Sequence, residues 1–200
     1  MNRDRVGEYL RTFAASLLAF CLVLVLAGAV LPSAPVKEPK VAPAQPVRLI
    51  VPSIDLRAPI RNIEVDMDGV LWPPDNVNEV GWWERSAKPG ATRGQTVITG
   101  HTVARGGGVM NDLGDVEVGD TVRVRTREGL FDYEATEIFV YSRAELAENA
   151  EMLFGQDRKQ VRLVLITCTD FDGRVYQSNI ILFAKPIGSR PHEERSEALN

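Results

Sequence analysis

The 200-residue chain carries 23 basic and 27 acidic side chains, a formal charge of −4, with 44% hydrophobic and 25% charged residues. These are globular averages, and no stretch gathers Lys and Arg into a stripe, so the chain has material for a hydrophobic core and a nucleic-acid partner is excluded. Two distant cysteines, Cys21 and Cys168, and two histidines, His101 and His192, exclude a disulfide framework, a four-ligand zinc site and an imidazole-rich centre; no metal or cofactor is expected.

Residues 1–12 contain Arg3, Arg5 and Arg11 and precede the apolar run Phe13–Leu31, nineteen residues in which Ser16 is the only polar side chain. A helix of that length matches a bilayer's hydrocarbon core, and the upstream arginines favour a cytoplasmic N-terminus with the rest of the chain outside. A cleaved signal peptide is the competing reading, because Ala27-Gly28-Ala29 fits a cleavage site; the run is longer than a usual h-region, which favours an uncleaved anchor. The expectation is therefore a single-pass plasma-membrane protein whose partner at residues 13–31 is the bilayer. Residues 32–46 are proline-rich and read as a semi-rigid extended spacer. Residues 188–200 are charged and aperiodic and read as a flexible tail, which leaves residues 47–187 as the folded domain.

Within that domain the dominant period is two. Arg48–Ser53, Gln95–Thr99, Thr121–Thr126, Leu130–Ser142, Val161–Thr167 and Ser178–Ile187 are rich in Val, Ile, Thr and aromatics and bounded by turn residues, which predicts strands. Arg57–Asp66 and Val70–Trp72, joined through Asp68-Gly69, predict a further hairpin. Val161–Ile166 and Ile180–Phe183 are continuous apolar runs, as central strands buried on both faces require. One helix is expected: Ser142-Arg143-Ala144-Glu145 forms a capping box ahead of Ala144–Phe154. About eight strands with one or two short helices make a mostly-β barrel or sandwich. Trp82-Trp83 reads as core packing ahead of a peptide platform, and Asp112, Asp115, Glu117 and Asp120 as solvated turn residues, since their spacing matches no calcium loop.

Chemistry is available at few positions. Cys168 is the domain's only cysteine and follows a buried apolar strand, so a rigid element aims its thiol at the strand's end. His101 ends the strand Gln95–Thr99, ahead of Arg105-Gly106-Gly107-Gly108. One Cys with one His is a nucleophile-and-base pattern, because an unaided thiol is only a few per cent ionised at neutral pH. The alternative is a small buried hydrophobe beside an ordinary strand-end histidine. His192, in the expected tail, is not a catalytic candidate.

Thr99-Gly100-His101 and Leu165-Ile166-Thr167-Cys168 resemble the histidine and Leu-x-Thr-Cys motifs of sortases, the membrane-anchored cysteine transpeptidases of Gram-positive bacteria. Val51-Pro52-Ser53-Ile54-Asp55-Leu56, Asp66-Met67-Asp68-Gly69, Pro73-Pro74, Gly81-Trp82-Trp83, Ala87-Lys88-Pro89-Gly90 and Gly119-Asp120 are similar, in order, to actinobacterial class F type sortases. The resemblance covers Leu49–Ala184. It implies an eight-stranded sortase-like β-barrel with one or two short helices, here preceded by a single transmembrane helix. It further implies attack by Cys168 on an LPxTG-like sorting signal between Thr and Gly, a thioacyl intermediate, and transfer to an amine of a cell-wall precursor, with His101 as general acid and base. The partners are then secreted proteins bearing a C-terminal sorting signal and that cell-wall amine. Sortases generally carry an Arg on the strand after the Cys; the corresponding residue here is Asn179, which can donate an amide but no charge. Asn179 and Arg174 are the candidates for the third group, Asn179 being favoured, and Thr167 is a candidate substrate or oxyanion contact. A hydrolytic cysteine peptidase and a non-catalytic anchored peptide-binding β-domain remain as alternative functions.

Overall fold

The computed structural model describes residues 41–157, 159 and 161–192. Their strands are β1 (Pro46–Val51), β2 (Leu56–Ile63), β3 (Val80–Trp83), β4 (Gln95–Gly100), β5 (Thr121–Thr126), β6 (Gly129–Ser142), β7 (Arg162–Phe171) and β8 (Tyr176–Pro191), with helices α1 (Arg143–Glu148) and α2 (Ala150–Phe154) between β6 and β7. The strands close into a barrel in the order β1-β2-β3-β4-β7-β8-β6-β5. Closure gives every strand a neighbour on both sides, so no whole strand is left as a sheet edge. Two of the pairings, β2 with β3 and β4 with β7, are parallel.

The apolar runs explain why β7 and β8 lie at the centre. Alternate side chains of a strand point to opposite faces, and here each face has its own core. Leu163 and Leu165 of β7 and Leu182 of β8 enter the barrel interior with Leu49, Val80, Trp82 and Ile98. Val164, Ile166, Ile181 and Phe183 form a second cluster with Val97 and Leu153, against which Leu71, Trp83, Tyr141, Leu146 and Phe154 pack. The adjacent tryptophans obey the same alternation: Trp82 is interior, and Trp83 meets Phe154 edge-on at 6.2 Å.

The capping box forms as predicted. Ser142 Oγ accepts from the Glu145 N–H at 3.3 Å while Glu145 Oε2 accepts from the Ser142 N–H at 2.8 Å. The expected single helix is broken at Asn149, whose side-chain amide takes the Glu145 carbonyl at 2.8 Å and so competes with the helical ladder. The predicted hairpin of Arg57–Asp66 with Val70–Trp72 shrinks to one bridge, Val65 to Leu71. The Asp66 carboxylate organises this segment instead, accepting from the N–H groups of Asp68 and Val70 and from Trp72 Nε1 at 2.7 Å. β2 instead pairs with β1 on one side and, in parallel register Ile60 to Val80, with β3 on the other.

At the C-terminal end β8 runs past Ile187 to Pro191, pairing Gly188 with Asp132 and Pro191 with Gly129. The stretch expected to fray is held there because the first half of β6 needs a ladder partner, and Arg190 pairs with the Asp132 carboxylate. His192 Nε2 donates to the Thr126 carbonyl at 2.8 Å. The last spacer residues also engage the domain: Val41 packs on the interior core and the Ala44 N–H donates to the Pro89 carbonyl. The expected transmembrane helix, Phe13–Leu31, lies outside the described residues; among those described, no helix is long and apolar enough to cross a membrane.

Candidate active site

Parallel β4 and β7 run side by side in register, Val97 to Val164 and Thr99 to Ile166. Two residues further along each chain come His101 and Cys168. Val97 and Val164 both belong to the second core cluster, so by alternation Cys168 emerges on that face, and His101 is the first residue past the end of β4 beside it. β4 ends at Gly100 while β7 continues to Phe171, so Cys168 stands where one flank of β7 has lost its partner. That step opens the sheet beside a half-buried free thiol.

Thr167 holds the two strand ends together. Its side chain points to the face opposite Cys168 and is 1% exposed. Thr167 Oγ1 donates to the Gly100 carbonyl at 3.0 Å and shares a 2.8 Å hydrogen bond with Thr102 Oγ1. The hydroxyl expected to touch substrate or oxyanion is therefore committed to clasping β4 to β7. The chain beyond His101 is pinned as well: Asn111 bonds both backbone groups of Val103, and the Met110 N–H donates to the His101 carbonyl at 3.1 Å. Gly108 is needed for that approach, because a Cβ there would stand 2.6 Å from the His101 carbonyl oxygen.

His101 Nε2 lies 2.8 Å from the Pro74 carbonyl. A carbonyl only accepts, so in this arrangement Nε2 carries a proton. The segment shaped by Asp66 thus delivers Pro74 onto the imidazole, with Leu71 seated on the second core.

Across the other flank, Cys168 is opposite Asn179 in the β7–β8 ladder, and Asn179 is opposite Tyr141 in the β6–β8 ladder. Asn179 is half-buried in the row opposite Cys168. Arg174 is not in this row. It sits in the turn at the tip of the β7–β8 hairpin, exposed, with its N–H bonded to the Asp172 carboxylate at 2.8 Å. Burial pushes the Cys168 thiol above its ordinary pKa, and the guanidinium that pulls it back is that of Arg143, the first residue of α1. Sequence reasoning passed over Arg143. The capping box had placed it at a helix start, but no local signal says which strands flank that junction.

The sortase-domain family model matches residues 49–187. The chain belongs to the sortase family. Its fold agrees with solved sortases: it is similar to sortase C1 from Streptococcus suis (22% identity, 72% of this chain and 74% of that chain, TM-score 0.56). Sortase C-1 from Actinomyces oris is similar at 22% identity over 72% and 76% of the two chains, with a TM-score of 0.57. A lid mutant of sortase A from Corynebacterium diphtheriae is similar at 23% identity over 78% and 75%, with a TM-score of 0.57. No curated protein matches the chain. In this sortase-family domain the side chain facing the cysteine across the β7–β8 ladder is the amide of Asn179.

Proposed function

We propose that this chain is a membrane-anchored cysteine transpeptidase of the actinobacterial class F type, facing the cell exterior and cleaving an LPxTG-like sorting signal between Thr and Gly. One observation carries the reading: His101 and Cys168 follow the adjacent ends of parallel β4 and β7, which Thr167 clasps together. The order of motifs through Pro73-Pro74 and Gly81-Trp82-Trp83 supports the class, and the apolar run Phe13–Leu31 with its upstream arginines supports the anchor.

The chemistry follows from those groups. The Cys168 thiolate attacks the Thr carbonyl carbon, forming an S–C bond as the C=O electron pair moves to oxygen. The tetrahedral species collapses by breaking the C–N bond, and His101 gives its proton to the departing Gly amine. A cell-wall amine then attacks the thioester carbon, loses its proton to His101, and expels the Cys168 thiolate. The substrates are secreted proteins bearing the signal.

The test uses the full chain in detergent, a sorting-signal peptide, and an oligoglycine amine, read by mass spectrometry. A thioacyl adduct on Cys168 and an amine-dependent ligation product are expected. Cys168→Ala should form neither, and His101→Ala should lose on the order of 10²–10⁴-fold in rate. Amine-independent hydrolysis alone would make the chain a peptidase instead, and the absence of any adduct would leave only a binding domain.

A further inference from the structure

The row Cys168–Asn179–Tyr141 crosses β7, β8 and β6, and the next row along is Thr169–Ser178–Ser142. Arg143 follows Ser142 directly, at the point where β6 turns into α1. With neighbouring strands about 4.8 Å apart, the backbone of β6 at this level stands about 9.6 Å from that of β7. A short side chain on β8 leaves that interval open, and a long one starting from β6 can span it. Cys168, Asn179 and Tyr141 share the face of the second core by strand alternation, so the interval lies on the thiol's side of the sheet.

Arg143 is also free for such a task. Among the described residues it makes no ion pair. Glu145, the nearest acid in sequence, is held by Ser142 in the capping box. At a helix's first residue a cation meets the positive end of the backbone dipole, so Arg143 gains nothing there from local helix stability. Burial raises the pKa of the Cys168 thiol, and the guanidinium of Arg143 is the charge that lowers it.

We propose that Arg143 is the cationic group of the active site, reaching past Asn179 from the β6–α1 junction to bind the substrate carbonyl oxygen as Cys168 attack turns it into an oxyanion. This rests on the transpeptidase reading for its substrate. The same guanidinium favours the Cys168 thiolate, a consequence that needs no substrate.

Two readouts in a Cys21→Ala background test it: steady-state transpeptidation, and iodoacetamide alkylation of Cys168 against pH. Arg143→Ala should lower kcat about 10²–10³-fold with KM little changed, as loss of an oxyanion donor does. It should also move the alkylation midpoint to higher pH. Arg143→Lys should restore the midpoint while recovering only part of kcat, since a lysine lacks the fork of donors. Asn179→Ala and Arg174→Ala should leave the midpoint in place. Wild-type kcat and midpoint in Arg143→Ala would overturn the proposal, and so would a lowered kcat with an unmoved midpoint, which marks a structural role. Alkylation requires no sorting signal, so a shifted midpoint without any ligation would instead refute the transpeptidase reading while leaving the thiol–guanidinium contact standing.

Discussion

Replacing Thr167 by Val keeps the side chain's shape and removes the hydroxyl that joins β4 to β7. Two hydrogen bonds vanish, the 3.0 Å bond to the Gly100 carbonyl and the 2.8 Å bond with Thr102. Thr167 is 1% exposed, so water cannot replace them. An orphaned buried polar group costs about 1–3 kcal/mol. Thr102 is only half-buried and can turn elsewhere, so the Gly100 carbonyl dominates and the expected loss is about 2 kcal/mol. For a domain of this size that corresponds to a fall in Tm of about 4–8 °C. Activity should suffer more than stability, because His101 and Cys168 each follow a clasped residue and a misplacement near 1 Å can cost about 10²-fold in rate. Thr167→Ser keeps the hydroxyl, loses one buried methyl worth about 0.8 kcal/mol, and should retain most of both properties. Thermal melts followed by circular dichroism, with turnover of a sorting-signal peptide, decide it. A Thr167→Val protein that melts and turns over like the wild type, or a Thr167→Ser protein as impaired as Thr167→Val, would refute the clasp.

The Asp66 carboxylate is held below the usual carboxylate range, first by the Val70 N–H and then by Trp72 Nε1. Its ordering of the segment above His101 is thus complete above the ordinary carboxyl pKa near 4 and is lost as pH falls through the depressed value; the Trp72 fluorescence component, isolated by difference from Trp72→Phe, should change below about pH 4 in the wild type. Asp66→Asn should abolish that transition, and an identical titration in the variant would discard the assignment. Topology is checked on intact cells, where external protease should degrade the domain carrying Cys168; a protected domain would contradict an outward-facing anchor.

Signals that act within a few residues were legible in the sequence. Alternating and continuous apolar runs marked β4 through β8, because a strand's burial on one face or two is written into its own residue order. The capping box located the start of α1, since both of its hydrogen bonds join residues three apart. Cys168 and His101 stood out by scarcity and by their places at strand ends, and the Leu-x-Thr-Cys and Thr-Gly-His motifs tied them to a family. What tertiary structure decided is pairing between distant segments. The parallel partnership of β2 with β3 displaced the expected hairpin, because barrel closure offered β2 a longer ladder than the turn at Asp68-Gly69 did. Ladder demand from β6 likewise carried β8 to Pro191 through residues whose composition reads as a tail. Thr167 looked like a neighbour of the nucleophile, yet strand alternation turns its hydroxyl to the opposite face. Arg143 shows the same limit at the site itself. It lies 25 positions before Cys168 in the chain, and only the adjacency of β6, β8 and β7 brings its charge to the thiol.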